Sequence, residues 1–419
     1  MLGEFKPVIK NKKFVYLWIS QILSQLTINL TNFLLLIRLF SETGSSIATS
    51  LLWICYALPA IVIGPFASAS VDMVDRRLLL MITNFFQALV IFSYGVLSGS
   101  GVFLLYGVAV AYSLLNQFYV PAEAASLPSL VDKENLPQAN SLFLLTQQAS
   151  VMVGFIAAGI LSHFLGFSNT LFIAALLLFA AFVSVTFLPK LKPSEELPAS
   201  LEKGLLDFFG RIIEGYNFIK ENRKVLAPFI LLLSCQIAMW VAVVNMPALL
   251  LSILGISVST GIVFAATSSG LGAITSSIFV SKLLRAKTRK KKIIDTSFMV
   301  LTFSLFLLGF LVPEFEGVLR LFIAFPLFFM SGFSFVGIIV PAITFLQAST
   351  PGGFRGRVFG NFWFLSTIAT LFPIIFSGAL SELFGVKFLI FILASFTLGA
   401  FLVSKNYGEK FIQEDLANG

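Results

Sequence analysis

The chain has 419 residues, 58% of them apolar and 11% charged, with 28 basic against 20 acidic residues and a net charge of +8. Soluble domains are about 45–50% apolar and about 25% charged, which excludes a water-soluble fold. The basic excess sits in loops of one sidedness, so it is read as facing anionic lipid, and nucleic-acid binding is excluded with it.

A helical bilayer span takes about 20 apolar residues. Twelve such stretches follow one another, at 14–39, 47–71, 78–97, 102–120, 139–162, 169–188, 226–251, 259–284, 293–312, 318–345, 358–380 and 385–403. The N-terminal MLGEFKPVIKNKK lacks the apolar run and small-residue cleavage site of a secretion signal, so the first stretch is expected to be the first span. That span carries Gln21, Ser24, Gln25, Asn29 and Asn32. At 100° per residue, Gln21, Gln25, Asn29 and Asn32 fall within an arc of about 80°. Uncharged amides in hydrocarbon seek partners, so this stripe faces protein or a water-filled cavity.

The second span runs into Gly64-Pro65-Phe66-Ala67-Ser68-Ala69-Ser70-Val71-Asp72-Met73-Val74-Asp75-Arg76-Arg77. The fourth offers Tyr106, Ser113, Asn116 and Gln117 and closes at Val120-Pro121-Ala122, with Glu123 just beyond. Glu123 is the candidate protonation site, because it ends a polar helix and the spans hold almost no other titratable group. The fifth contains Gly154-Phe155-Ile156-Ala157-Ala158-Gly159, which allows close helix packing, and ends near His163, read as a solvated residue of the outer side. One long hydrophilic break, 189–225, begins with the Pro-rich PKLKPSEELPASLEKG. It continues with Leu205, Phe208, Phe209, Ile212, Ile213, Tyr216 and Ile219 at helical spacing and Arg211, Glu214 and Lys220 on other faces, the pattern of a helix lying on the inner membrane surface. The seventh span offers Gln236, Trp240 and Asn245, and the tenth Met330, Ser331 and Ser334. The tenth closes at Val340-Pro341-Ala342, an echo of the fourth in the same position of its half. Asp295 follows the basic run Arg289 to Lys292 and is read as a surface ion pair.

Charge placement tests this parse independently. With the N-terminus inside, all but Arg38, Arg320 and Lys387 of the basic residues fall on the cytoplasmic side. The expected architecture is therefore an all-α integral membrane protein of twelve transmembrane helices in two pseudo-symmetric six-helix bundles, both termini cytoplasmic. Its parts are a bundle over 1–188, a linker with a surface helix over 189–225, a bundle over 226–403 and a tail over 404–419. Cys55 and Cys235 lie within spans and suggest neither a disulfide framework nor a metal site.

Three segments resemble the major facilitator superfamily. The loop from Gly64 to Arg77 is similar to its signature loop, with Asp72 at the acidic position, Arg76 and Arg77 at the basic pair, Ser68 in place of the usual Gly and Met73 in place of the usual Arg. Its Gly-Pro opening and Asp-Arg-Arg ending resemble the branch of enterobactin exporters and macrolide efflux carriers. So do Pro121-Ala122-Glu123 through Leu127-Pro128-Ser129-Leu130-Val131 to Leu136-Pro137-Gln138-Ala139-Asn140, where Glu123 stands for the usual Arg, and Thr350-Pro351 with Arg355-Gly356-Arg357-Val358-Phe359-Gly360. The fifth helix has Phe155 where drug antiporters of the family carry Pro, so antiport is not asserted from it.

The resemblance implies the superfamily fold and a cavity lined by the first, fourth, seventh and tenth helices. Gln21, Gln25, Asn29, Asn32, Tyr106, Asn116, Gln117, Gln236 and Trp240 are the candidate substrate residues. It also implies that Asp72 meets the start of the eleventh helix, so that Asp72, Asp75, Arg76, Arg77, Arg355 and Arg357 make a cytoplasmic gate. A carboxylate beside guanidinium groups at a membrane boundary is a latch that can open. The expected activity is secondary active transport, export by resemblance, of a small amphipathic or hydrophobic compound across the cell membrane. A lysophospholipid or lipid flippase, a facilitator without proton coupling, and a non-transporting sensor or scaffold are the alternatives. The expected partners are a small-molecule substrate, membrane lipid and a coupling proton, with the chain a monomer. No P-loop, metal cluster or nucleophile constellation is present, so no cofactor, nucleic acid or enzymatic activity is expected.

Overall fold

A bilayer core offers no water to backbone N–H and C=O groups, so each must be paired inside its own segment. The computed structural model, which describes residues 5–71, 73–97, 101–191, 201–286 and 288–416, meets that demand with sixteen α-helices. They are α1 (Lys6–Lys10), α2 (Lys12–Thr43), α3 (Ser46–Val62), α4 (Gly64–Val71), α5 (Arg76–Leu97), α6 (Val102–Leu130), α7 (Leu136–Leu165), α8 (Phe167–Thr186), α9 (Leu201–Glu221), α10 (Arg223–Val244), α11 (Met246–Leu254), α12 (Val258–Arg285), α13 (Lys290–Phe310), α14 (Gly317–Ser349), α15 (Gly352–Phe384) and α16 (Val386–Leu416). Eleven of them, α2, α5 to α8, α10 and α12 to α16, are long and apolar enough to cross a membrane. The chain is a multi-pass membrane protein.

Prolines bear on four of the expected spans. The stretch read as one span over 47–71 is two helices, α3 and α4, with Ile63 between them. Pro65 has no N–H to offer the Ile61 carbonyl, yet Ala67 N still donates to Ile63 O at 2.8 Å, so the break is confined to one turn. The seventh stretch is interrupted at Asn245, two residues before Pro247, into α10 and α11. The fourth does the opposite. Instead of ending at Pro121 it continues as α6 to Leu130, which carries Glu123 into the helix interior and corrects its expected place at a helix end. The tenth, expected over 318–345, runs through Pro341 and on to Ser349.

The chain forms two compact units, one of Met1–Thr43 with Leu51–Phe209, the other of Gly44–Ser50 with Gly210–Gly419. Within the first, Phe14, Leu17, Leu80, Tyr119, Ala122 and Val185 join α2, α5, α6 and α8 in one core. Within the second, Ile219, Phe229, Phe298, Ile338, Val358 and Phe362 do the same for α9, α10, α13, α14 and α15. The two halves of the sequence share local punctuation. Glycines with positive φ fall in pairs at corresponding joints: Gly44 and Gly255, Gly101 and Gly317, Gly166 and Gly385. Each closes a turn in a backbone region that side-chain-bearing residues resist. Together with Pro121 and Pro341, these pairs extend the internal echo from three residues to the joints of both halves.

Helices α12 and α14 touch through glycines. A Cβ on Gly272 would overlap the Phe329 carbonyl oxygen, and one on Gly332 the Ser269 carbonyl oxygen. Backbones approach this closely in membranes where small residues permit it, gaining dispersion where no hydrophobic effect is available. Gly272→Ala and Gly332→Ala are expected to cost about 1–3 kcal/mol each by overpacking. Thermal melting in detergent should show both variants lowered and Gly360→Ala, whose Cβ meets nothing within 4 Å, unchanged.

Candidate functional site

The amide stripe of α2 divides in the first unit. Gln21 is buried, and its Nε2 donates to the Phe143 carbonyl of α7 at 2.9 Å. Gln25, Asn29 and Asn32 stay half-buried, with Asn29 Nδ2 donating to the Gln25 carbonyl at 2.8 Å. Gly154 of α7 comes so close that a Cβ there would sit 2.7 Å from that of Asn29, which accounts for the small residue at this place. On α6, Tyr106, Asn116 and Gln117 are half-buried, while Ser113 is buried and donates to the Tyr56 carbonyl at 2.5 Å. Gln21 therefore belongs to the α2–α7 interface, and the residues of this set that stay half-buried are Gln25, Asn29, Asn32, Tyr106, Asn116 and Gln117.

A second polar set lies deeper in the same unit. Tyr119 O–H donates to Glu123 Oε1 at 2.8 Å, and the hydroxyls of Tyr119 and Ser20 are 3.4 Å apart. Asn84 Nδ2 of α5 donates to Ser20 Oγ at 3.1 Å. Glu123 is 6% exposed and has no ion-pair partner among the described residues. Glu123 is legible in the sequence, whereas Asn84 and its neighbour Gln87 are not, because they lie on the third span, outside the expected cavity helices. The available signal was two carboxamides three residues apart, on one face of an otherwise apolar span.

In the second unit Gln236 and Trp240 are half-buried on α10. Asn245, at the helix break, is fully buried and donates to Ser377 Oγ of α15 at 2.9 Å. Ser334 of α14 is buried, Ser331 donates back to Leu327 O, and Met330 is exposed. The arginines expected on the outer side are engaged locally: Arg38 pairs with Glu42 at 2.6 Å, and Arg320 donates to the carbonyls of Phe315 and Pro313. Asp295 accepts from Ser404 Oγ at 2.5 Å, where a surface ion pair was expected.

The described residues of the expected gate have local partners. Asp72 lies outside the described residues. Asp75 Oδ1 accepts from the backbone N–H of Arg77 and of Leu191, Arg77 donates to the Thr186 carbonyl, and the buried Arg76 donates to the Ala125 carbonyl at 3.1 Å. These contacts stitch the start of α5 to α6 and to the end of α8. In the second unit Arg357 pairs with Glu214 of α9 at 3.1 Å, and Arg355 lines a cavity of about 630 Å³ with Thr344, Gln347, Ala348 and Phe359. The surface helix thus docks on α15. Phe218 stacks on Phe354 with ring centroids 4.3 Å apart, Ile219 is buried, and Gly215 lies against the Arg357 carbonyl. Ile213 and Tyr216 remain exposed, whereas the side chains of Leu205 and Phe208 lie outside the described residues.

Comparison with known proteins places most of the chain. The Major Facilitator Superfamily profile matches residues 17–373. An uncharacterized MFS-type transporter, YfiS of Bacillus subtilis (strain 168), is 26% identical over 403 residues, covering 91% of this chain and 90% of its own. Among solved structures, the POT family transporter PepTSo superposes with a TM-score of 0.72 at 12% identity, covering 96% of this chain and 99% of its own. A bacterial homologue of the iron transporter ferroportin in an inward-facing state gives 0.67 at 18% identity, over 93% and 97%. The nucleoside transporter NupG gives 0.68 at 14% identity, over 94% and 99%. At such identities the structures establish the fold.

The docking of α9 on α15 separates charge from shape. Both Glu214 and Arg357 are more than a third exposed, so solvent screening holds their pair to about 1 kcal/mol or less. Forcing a larger side chain against the Arg357 carbonyl costs about 1–3 kcal/mol. Glu214→Gln should therefore leave the melting temperature nearly unchanged and Gly215→Val should lower it by several degrees, as scanning fluorimetry of the purified protein will show.

Proposed function

The chain belongs to the major facilitator superfamily, whose members are membrane transporters and not enzymes, and from that premise we propose that it is a secondary active exporter of a small amphipathic or hydrophobic compound. In this reading α3 and α4 together supply a twelfth span, both termini are cytoplasmic, and the bundles over 1–188 and 226–403 alternate access to the substrate. The observation that carries the substrate class is the half-buried set of neutral amides on α2 and α6, Gln25, Asn29, Asn32, Asn116 and Gln117. Amides left partly open in a membrane span suit a ligand with hydrogen-bonding groups and little net charge. Gln236 and Trp240 of α10 extend the same chemistry to the second unit. The local engagement of Arg38 and Arg320 argues against an anionic substrate held at the outer side.

We assign cytoplasmic gating to Asp72, Arg355 and Arg357, with Asp75, Arg76 and Arg77 bracing the start of α5. Glu123 is the carboxylate that holds a coupling cation, a proton in the simplest case. Export, rather than import, rests on the resemblance to enterobactin and macrolide carriers. A lipid flippase is the second reading. It is favoured by an apolar groove of about 420 Å³ between α5 and α8, lined by Phe85, Phe92, Phe172 and Phe179, which would suit an acyl chain.

A thermal-shift screen of the purified protein against macrolides, siderophores and lysophospholipids tests the reading, since a ligand stabilises the state it binds. One class is expected to raise the melting temperature saturably and to cross proteoliposomes carrying the protein. Asn29→Ala and Asn116→Ala should each weaken its apparent affinity roughly fivefold, the loss of a hydrogen bond of about 1 kcal/mol. Binding without flux of any bound compound would point to a sensor instead.

A further inference from the structure

Asn84, Ser20, Tyr119 and Glu123 form one unbroken hydrogen-bond chain through α5, α2 and α6. Asn84 Nδ2 donates to Ser20 Oγ at 3.1 Å, the Ser20 and Tyr119 hydroxyls lie 3.4 Å apart, and Tyr119 O–H donates to Glu123 Oε1 at 2.8 Å. All four side chains are buried. An amide N–H can only donate, so the donors are ordered from α5 toward α6. The middle link is longer than the usual O–H···O length of about 2.5–3.0 Å, which commits the Tyr119 hydrogen to Glu123 in this arrangement. The opposite end of the chain holds an idle acceptor: Asn84 Oδ1 is buried and has no hydrogen-bond partner.

A carboxyl that gains a proton becomes a donor. Glu123 can then give its O–H to Tyr119 Oη, Tyr119 can turn its own O–H to Ser20 Oγ, and Ser20 can turn to Asn84 Oδ1 once that amide rotates. Each hydroxyl keeps its hydrogen and only its direction changes, so the same side chains support one ordered arrangement for each charge state of Glu123. Few other charges surround it. On α6 the remaining titratable groups are Tyr106 and Tyr112, and α4 carries none. On α5 Arg76 donates to the Ala125 carbonyl and Arg77 to the Thr186 carbonyl, and Tyr94 lies near the other end of the helix. On α2 Lys12 and Lys13 are exposed in the first turn, Tyr16 stacks on Phe187, and Arg38 pairs with Glu42 in the last turns. On α7 the one titratable group, His163, is in the last turn.

We propose that Tyr119 and Ser20 are positioning residues that relay the charge state of Glu123 from α6 to α2 and α5 by reversing the direction of this hydrogen-bond chain. Buried hydrogen bonds polarise one another, so a change at one end is felt along the run. Ser20 lies on the helix that further along presents the candidate substrate amides Gln25 and Asn29. The relay therefore joins the carboxyl to that helix through side chains in direct contact. The inference rests on the reading of Glu123 as the protonated carboxylate of a coupled carrier, and it names the residues that pass its state on.

The test uses the full chain in detergent, with bimane attached at Asn29→Cys and the native thiols removed as Cys55→Ser and Cys235→Ser. Its emission is followed from about pH 5 to about pH 9, and a pH-dependent change is expected in this background. Glu123→Gln should abolish the change, and Tyr119→Phe and Ser20→Ala should each reduce its amplitude roughly fivefold, the loss of one hydrogen bond. Ser20→Thr, which keeps the hydroxyl, should keep the response. So should Ser126→Ala, which removes a buried α6 hydroxyl that donates to the Ala122 carbonyl. A packing role alone for Tyr119 would leave the pH response of Tyr119→Phe intact, because the ring stays in the core. A full response in Tyr119→Phe or in Ser20→Ala overturns the relay and leaves Glu123 as the coupling carboxylate. A full response in Glu123→Gln, or none in the starting background, overturns the relay and the reading of Glu123 together.

Discussion

Polar groups inside a bilayer have no water to fall back on, and most of what distinguishes this chain follows from that scarcity. It forces the backbone into helices, because only a helix pairs its own N–H and C=O groups within one segment. It makes prolines visible, since each removes a donor that nothing in the lipid replaces: Pro65 divides the second stretch, and Pro247 follows the break at Asn245. It also turns every buried side-chain dipole into a statement about its neighbours. Gln21 answers to the Phe143 carbonyl, Ser113 to Tyr56, and Asn245 to Ser377. Where no neighbour answers, as at Gln87, an ordered water is the ordinary partner of a buried amide.

Much of this was legible in the sequence. Hydropathy delimited the membrane segments, because a span is set by composition and length alone. The Pro121 and Pro341 echo pointed to duplication, and the paired positive-φ glycines carry the same pattern into the turns. What the sequence misjudged was a matter of competition between local and tertiary preferences. Proline is a helix breaker in water, yet α6 and α14 run through Pro121 and Pro341 because ending the helix there would leave backbone groups without partners. For that reason Glu123 became a buried residue of a helix interior instead of a residue at its end. The partner of Arg357 was not legible either. Glu214 lies far away in sequence, and its pairing depends on how Gly215 and Phe218 seat α9 on α15.

The linker helix α9 is held on α15 of the second unit by two kinds of contact. Glu214 holds Arg357 through a screened, exposed ion pair, the kind of contact that can be exchanged at little cost. Gly215, Phe218 and Ile219 hold the same helix through shape, which cannot be exchanged so easily.

The central claim is that this is an ion-coupled carrier whose coupling charge resides on Glu123. It is tested most directly by comparing wild type and Glu123→Gln in proteoliposomes loaded with a bound compound, measuring equilibrium exchange and gradient-driven accumulation side by side. The account predicts that the variant keeps exchange, which needs only alternating access, and loses accumulation, which needs a cation at that carboxylate. Accumulation undiminished in the variant would contradict it.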